Sequence, residues 1–338
     1  MYHNKRVLVT GGTGLVGREL VELLVKSGAK VRSVSLDEDN FDPSWDVEYF
    51  KADLRNIRNC LSACAGMDYV FHIAGVKGSP VVMKNFQYQV FRDFTMMNTN
   101  VIDAIYNSPT VEWGLYTSTI GTYGPARTFK EDDLWTQNPS PNDWFAGWAK
   151  RMGEVQVNAY DEQYNDKKMS IIKPANIYGK YDNFDLKTST LIPSLIRKVA
   201  EAEESVEIWG DGSAGRDIVH ARDVARAAMF AVDNKINSPL NVGHGKTFTI
   251  KEVIEALVKV SDKGLEITHD LSKPTGDQFR VPITDRLKGH GFEMSVGLEE
   301  GLKETYDWYI ENGPPKEDST LSKLKIKNEI NYKKLCYG

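Results

Sequence analysis

Four glycines in seven residues join the first apolar run of the chain to its first amphipathic segment. Arg6 to Thr10 (RVLVT) has the composition of a buried strand, and Leu15 to Ser27 has the apolar spacing of a helix. The sequence between them, Gly11 to Gly17, is GGTGLVG. Glycines at such a junction let backbone N–H groups and the helix N-terminus approach a pyrophosphate closely. The sequence therefore predicts a dinucleotide-binding turn; an ordinary tight turn between a strand and a helix is the alternative.

The end of the second predicted strand, Lys30 to Ser35, bears on which dinucleotide is bound. An acid at this place bonds the ribose 2′-hydroxyl of NAD, whereas a basic residue takes the 2′-phosphate of NADP. The residues from Asp37 to Asp39 are all acidic and would repel a phosphate, although Arg32 lies nearby. We therefore expect NAD as the cofactor and keep NADP as the alternative. The residues expected at this part of the cofactor site are Gly11, Thr13, Gly14, Leu15, Val16, Gly17, Ser35 and Asp37.

Strand and helix patterns alternate through the first half of the chain. Further strands are predicted at Asp68 to Ile73, Gly114 to Ser118 and Met169 to Lys173, with a long helix from Lys150 to Tyr164. This order predicts an α/β fold with a Rossmann-type, doubly wound parallel sheet and a smaller C-terminal substrate-binding cap. We expect a dinucleotide-binding domain at residues 1–174, a region at 175–312 that is mainly cap with some elements returning to the Rossmann core, and a C-terminal tail at 313–338.

Composition and charge narrow the classes of partner. The 338 residues are 41% hydrophobic and 26% charged, as in soluble globular proteins. The net charge of −5 comes without an obvious basic stripe, so a nucleic-acid partner has no electrostatic support. No apolar run approaches the roughly 20 residues that span a bilayer, and the first strand follows the N-terminus too closely for a signal peptide. We expect a cytoplasmic protein without membrane partners.

Cysteine and histidine give no metal or disulfide pattern. Cys60, Cys64 and Cys336 are too few for a disulfide framework, and the first two are spaced like buried thiols on one helix. None of the six histidines has the spacing of metal ligands, and His72 and His220 are expected to be structural. We expect no metal site.

Six motifs resemble, in order, the extended short-chain dehydrogenase/reductases that modify nucleotide sugars, the NAD-dependent epimerase/dehydratase family. They lie between about residues 5 and 310: TGGTGLVG, FHIAG, YTSTIGTYG, a W-A-K helix, KPANIYG and WGDGSAGRDIVHARDVARAA. The resemblance implies an NAD(P) cofactor, a nucleotide-sugar substrate and a homodimer. It also implies that Asp53, Leu54 and Ala74 line the cofactor site, with helix capping as the alternative role of Asp53.

The family's chemistry uses a Ser or Thr, a Tyr and a Lys, and this chain matches two of the three. The resemblance places Thr119, four residues before Tyr123, at the Ser/Thr position, and Lys150 at the position of the lysine, which also holds the nicotinamide ribose. Four residues before Lys150, on the same helix face, Ala146 stands where the family has its proton-donating tyrosine. We favour an engineered Tyr→Ala form; a natural variant that uses another acid, or none, is the alternative.

Other segments bear on the substrate. TMMNTNVIDAI and NIYGKYDNFD resemble GDP-fucose synthases more than UDP-galactose epimerases. Gly121 and Thr190 stand where those synthases carry a cysteine and a histidine for epimerisation, so we do not expect epimerisation at neighbouring carbons. The expected activity is hydride transfer at C4 of a GDP-linked sugar; a nucleotide-sugar 4-epimerase and a non-catalytic, cofactor-binding regulator are the alternatives. The substrate residues implied are Ser118, Thr119, Asn176, Arg216 and Arg280, with Arg216 on the diphosphate.

Overall fold

A computed structural model describes residues 1–38, 41–76, 80–272 and 279–313. Within these residues the strands are β1 (Arg6–Thr10), β2 (Lys30–Ser35), β3 (Val47–Lys51), β4 (Tyr69–His72), β5 (Trp113–Thr117), β6 (Thr128–Phe129), β7 (Met169–Pro174), β8 (Asn176–Tyr178), β9 (Ser205–Trp209), β10 (Gly215–Arg216), β11 (Ile218–His220), β12 (Leu240–Val242), β13 (Phe248–Thr249), β14 (Glu266–Asp270) and β15 (Phe279–Pro282).

The α-helices of the same residues are α1 (Leu15–Lys26), α2 (Ile57–Cys64), α3 (Pro80–Asn85), α4 (Gln87–Asn107), α5 (Trp144–Tyr164), α6 (Leu191–Glu201), α7 (Ala221–Asp233), α8 (Ile250–Ser261), α9 (Asp285–Gly289) and α10 (Leu298–Asn312). Three 3₁₀ helices are η1 (Ile120–Thr122), η2 (Glu131–Trp135) and η3 (Pro141–Asp143). The predicted tail after Gly313, with Cys336, lies outside the described residues.

Seven parallel strands form the central sheet in the order β12-β7-β5-β4-β1-β2-β3. On the two sides of β1, Val7 pairs with Val31 of β2 and with Tyr69 of β4. The strand order reverses between β1 and β4, and in such sheets ligands bind beyond the carboxyl ends of the strands at this point. The predicted α/β, doubly wound sheet is confirmed, and its reversal lies beside the glycine-rich turn.

Side chains of β1 explain why the sheet is covered on both faces. Val7 and Val9 lie in the apolar cluster that includes residues of α1 and α7, whereas Leu8 lies in the cluster that includes α2 and α4. A continuous apolar strand of this kind is typical of parallel sheets with helices on both faces. Cys60 and Cys64 belong to the second cluster as buried free thiols, which confirms their predicted burial.

The second half of the chain builds smaller sheets and also returns to the central one. Helices α6, α8 and α10 share an apolar cluster that includes Ile196, Ile254 and Leu302. The strand order β13-β10-β15-β6 forms a four-stranded sheet, so β6 from the first half pairs with β15 from the second. Strand β12 adds the seventh strand of the central sheet beside β7, and α7 packs against α1. The chain therefore crosses more than once between the two parts.

Helix α5 begins at Trp144, six residues before the predicted start at Lys150. The prediction was wrong at this end because WFAGW has no apolar periodicity and contains a glycine, a weak helix former. Tertiary packing overrides this preference, since a Cβ on Gly147 would come within 2.7 Å of the Pro139 side chain and as close to the backbone of Gly121. Ala146 and Lys150 consequently lie in one continuous helix.

Among the described helices, none has both the length and the apolar character needed to cross a bilayer.

Candidate active site

The glycine-rich turn is held by backbone contacts that leave no room for side chains. Gly11 has a φ of +70°, in the left-handed region, and a Cβ there would lie 2.8 Å from the Cα of Ala74. A Cβ on Gly17 would lie 2.7 Å from the Cα of Gly12, so α1 packs directly on the turn. The turn therefore has the close backbone approach that the sequence predicts.

The space in front of α1 suits a phosphate. Gly14 is the N-cap of the helix and offers no side-chain cap to the first turn. Among the described residues, a Cβ on Gly14 would meet only the carbonyl oxygen of Gly11, at 3.3 Å. The first N–H groups of a helix carry partial positive charge and bind anions. The residues from Gly11 to Gly17 thus fit the pyrophosphate of a dinucleotide.

The end of β2 brings an acid to this turn. The Thr13 hydroxyl donates to the Asp37 carboxylate at 3.2 Å, and its backbone N–H donates to the Ser35 hydroxyl at 3.4 Å. Arg32 is directed elsewhere, because its guanidinium donates to Glu48 at 3.0 Å and to the carbonyl of Ala63 at 2.9 Å. The charge beside the turn is therefore that of Asp37, which suits a ribose hydroxyl better than a phosphate.

Asp53 and Leu54 follow β3. The Asp53 carboxylate accepts from the Arg55 guanidinium at 2.6 Å, and Leu54 is buried. Asn56, not Asp53, is the N-cap of α2, since its side chain accepts from the backbone N–H of Arg58. The alternative role of Asp53 as the helix cap is wrong, and its contact with adenine stays a prediction.

Lys150 is buried at the carboxyl end of β5. Its Nζ donates to the carbonyl of Thr117 at 2.7 Å and lies 4.9 Å from the ring centre of Phe94 and 5.2 Å from that of Tyr116. Burial lowers the pKa of Lys150 to about 7, against the opposing effect of the Glu154 carboxylate. The lysine therefore gains and loses its proton near neutral pH.

Thr119 and Ala146 both precede this lysine in the sequence. Thr119 caps η1, where its hydroxyl oxygen accepts from the N–H of Gly121 at 3.1 Å, a bond that leaves the hydroxyl proton available to a ligand oxygen. Ala146 is half-buried against the apolar cluster of Val90 and Phe94. A methyl group can neither donate nor accept a proton, so the tyrosine's function is missing at this position.

Sequence reasoning missed a buried network beneath the site. The Glu154 carboxylate accepts from the Ser118 hydroxyl and, at 3.0 Å, from Lys173 Nζ. All three side chains are almost fully buried. Two signals were present: Glu154 follows Lys150 by one helical turn, and Lys173 interrupts an otherwise apolar strand. The structure directs the Ser118 hydroxyl into this network, and its contact with substrate stays a prediction.

Strands β8 and β10 carry Asn176 and Arg216. The Asn176 amide donates to the carbonyl of Asp217 at 2.8 Å, and Arg216 donates to the carbonyl of Gly215 at 2.8 Å. The Asp217 carboxylate, which could have paired with Arg216, accepts instead from the backbone N–H of Gly245 at 2.7 Å. Burial raises the pKa of Asp217 to about 7, against the effect of its backbone hydrogen bonds. The predicted contact of Arg216 with a diphosphate stays a prediction.

Arg280 of β15 contacts η1 and the start of α5. Its guanidinium forms a 2.5 Å ion pair with Asp143 and donates at 3.1 Å to the carbonyl of Ile120 in η1. Arg280 therefore lies beside the residue that follows Thr119, close to the predicted reacting group. Sequence reasoning selected Arg280 and did not select Asp143.

His72 has the structural role that was expected. Its ring nitrogens pair with the Thr10 hydroxyl at 2.8 Å and the Asn98 side chain at 3.1 Å, and burial lowers its pKa to about 3. In the part of the chain that the structure describes, no group of three or more His, Cys, Asp or Glu side chains could hold a metal ion.

A doubly wound sheet with this turn, and with a hydroxyl and a buried lysine at the end of β5, defines a short-chain dehydrogenase/reductase type of domain. Comparison with known families agrees: the NAD dependent epimerase/dehydratase family matches residues 7–243, and the chain belongs to it.

Similar proteins cover nearly the whole chain. The GDP-L-fucose synthase of Azorhizobium caulinodans is 30% identical over 322 residues, 92% of this chain and 98% of that protein. The GDP-L-fucose synthase of Sinorhizobium fredii is 28% identical, over 91% of this chain and 96% of that one. Among solved structures, a UDP-N-acetylglucosamine 4-epimerase from Methanobrevibacter ruminantium superposes with a TM-score of 0.81 at 22% identity, over 91% and 99% of the two chains. That structural likeness shows the fold alone.

Replacing Gly14 with valine tests the phosphate site. The added side chain would fill the open space in front of α1, so Gly14→Val should weaken dinucleotide binding at least tenfold while the protein remains folded. Calorimetry measures the affinity, and circular dichroism checks the fold.

Gly297→Val is the matched control, because Gly297 is also a helix N-cap with nothing described within 4 Å of its Cβ position. Unchanged affinity in Gly14→Val would remove the assignment of the turn to a pyrophosphate.

Proposed function

We propose that the chain is an NAD(P)-dependent oxidoreductase that transfers hydride at C4 of a GDP-linked sugar. The observation that carries the proposal is the position of Lys150, which is buried at the end of β5 and donates to the carbonyl of Thr117, two residues before Thr119. The relatives named GDP-L-fucose synthases, which match over most of their length, support the substrate class. NAD is the preferred cofactor because Asp37 stands at the end of β2.

In this proposal, different residues contact the cofactor and the sugar. When bound, the dinucleotide supplies or accepts the hydride. Gly11 to Gly17 hold its pyrophosphate, and Lys150 bonds its nicotinamide ribose. The Thr119 hydroxyl donates a hydrogen bond to the sugar oxygen at the reacting carbon and so stabilises negative charge there. Ala146 provides no proton, and proton transfer is therefore the step in which this form is impaired.

A homodimer is part of the proposal. Trp144, Trp148, Met152, Val155 and Ala159 recur every three or four residues and thus share one face of α5. All but the half-buried Trp148 are exposed. A continuous apolar helix face of this kind is typical of protein interfaces, and a second copy of the chain is the occupant we propose for it.

Ala146 specifically favours one other function, that of a cofactor-binding regulator without catalysis. Such a protein needs the glycine turn but no proton donor, and it would bind a dinucleotide with or without a nucleotide sugar. A measurement of turnover distinguishes the two functions, since a regulator shows no turnover with either alanine or tyrosine at residue 146.

Restoring the phenol should increase the rate. Ala146→Tyr places a hydroxyl one helical turn before Lys150, and general acid–base groups contribute typically about 10²–10⁴-fold. We expect a gain of this order in kcat, measured by nicotinamide absorbance with GDP-, UDP- and dTDP-sugars.

Ala146→Phe is the control, because it adds the ring without the hydroxyl and should give no such gain. If Ala146→Tyr is no faster on a sugar that the unaltered chain turns over, the Tyr-dependent mechanism does not operate here.

Arg216 tests the substrate class independently of residue 146. Charge-assisted hydrogen bonds contribute about 1.5–3 kcal/mol each, so Arg216→Ala should weaken nucleotide-sugar binding by at least tenfold. Calorimetry should show little change for the dinucleotide, whose pyrophosphate lies on the glycine turn.

Arg197→Ala, which removes a half-buried arginine paired with Glu201, should change neither affinity. Equal loss of both ligands in Arg216→Ala would indicate a structural arginine, and tight binding of a free monosaccharide would overturn the substrate class.

A further inference from the structure

Asp143 lies near Thr119, whose hydroxyl we propose bonds the reacting oxygen. It immediately precedes α5 and is three residues before Ala146. The point that a Cβ on Gly121 would occupy is 3.3 Å from the Asp143 carboxyl carbon and 3.4 Å from Cγ2 of Thr119. The carboxylate and the methyl group of Thr119 therefore border the same small space, the one that a side chain at residue 121 would fill.

Arg280 holds this carboxylate without enclosing it. The 2.5 Å ion pair fixes one Asp143 oxygen, and the second guanidinium nitrogen is fixed on the carbonyl of Ile120 at 3.1 Å. The Asp143 side chain keeps 33% of its surface exposed, whereas that of Arg280 keeps 12%. A carboxylate in this arrangement has a fixed position and an accessible side, as a proton carrier requires.

The guanidinium that holds the Asp143 carboxylate has an unsatisfied donor. The Nε–H of Arg280 is buried and makes no hydrogen bond within the described residues. Buried donors of charged groups are rarely left unsatisfied, and such exceptions call for a partner that the folded chain alone does not supply. Because this Nε–H has almost no accessible surface, a ligand oxygen reaches it only if the Arg280 side chain shifts when the sugar binds.

We propose that Asp143 carries the proton of the reacting sugar hydroxyl in place of the missing phenol. This inference rests on the proposed function and names the group that sustains turnover while residue 146 is alanine. In the oxidative direction the hydroxyl O–H bond breaks and its proton passes to an Asp143 oxygen. The C=O bond forms as the hydrogen on the same carbon leaves as hydride to an oxidised nicotinamide dinucleotide. Reduction runs the same transfers in reverse, with protonated Asp143 returning the proton.

The test compares Asp143→Asn in two backgrounds. The isosteric amide cannot accept the proton, so kcat of the unaltered chain should fall by about 10²-fold. In Ala146→Tyr the phenol takes over the transfer, and the same substitution should change kcat by less than about threefold, since the two groups then serve one step.

Asp132→Asn is the matched control. Asp132 makes a similar ion pair across the same two parts of the chain, at 2.8 Å to Arg286, and is largely exposed. Its loss should leave kcat unchanged in both backgrounds. A second readout is independent of turnover: Asp143→Ala should weaken nucleotide-sugar binding about tenfold in calorimetry, because a hydrogen bond to a charged group is lost, and should leave dinucleotide affinity unchanged.

Three outcomes of these experiments would contradict the inference. Equal losses of kcat in both backgrounds would make Asp143 a structural residue and overturn the inference. The inference would also be overturned if the unaltered chain is inactive and Ala146→Tyr is active. That result would leave the proposed function unchanged. Inactivity of both forms on every nucleotide sugar would overturn the proposed function itself, and the inference with it.

Discussion

A buried carboxylate between two buried amines determines where the proposed catalytic groups of this protein lie. Glu154 of α5 accepts from Lys173 of β7 and from Ser118 at the end of β5, and it lies one turn after Lys150. Burial lowers the pKa of both lysines, and the Glu154 carboxylate opposes this in each case. An unpaired charge at this depth would be strongly unfavourable, so α5 is fixed in rotation and in height relative to the sheet. The positions of Asp143, Ala146 and Lys150 all follow from that register.

The two parts of the proposed site depend on different physical constraints. On one side, the absence of side chains at Gly11 and Gly17 brings α1 against the end of β1 and leaves its N-terminus open to an anion. On the other side, the cap is joined to the start of α5 by the ion pair of Arg280 with Asp143. This pair connects the part of the chain expected to grip the sugar nucleotide to the helix that carries Lys150. The same ion pair fixes the position of the Asp143 carboxylate.

How far the sequence predicts the structure depends on whether a feature is local. The apolar runs of β1 and β2 and the glycine turn were predicted with their bounds. The apolar pattern of a buried strand and the glycines of a strand-to-helix turn both lie in consecutive residues, so they can be recognised locally. The start of α5 was placed too late, since packing of Gly147 on η1 outweighs local preference. Asp143 was missed because its partner Arg280 is 137 residues away, and nothing local distinguishes it from other acids before a helix. The role of Asp53 as a cap failed for a local reason, as Asn56 is better placed for α2.

The central claim is that this chain moves a hydride between a nicotinamide and C4 of a nucleotide-linked sugar. The most direct measurement uses a dinucleotide with deuterium at the transferring position of the reduced nicotinamide and a GDP-linked 4-keto sugar, with the product examined by NMR. The account predicts deuterium on C4 of the product, slowly for the unaltered chain and faster for Ala146→Tyr. Label that appears at another carbon, or no transfer to any nucleotide sugar in either form, would contradict it.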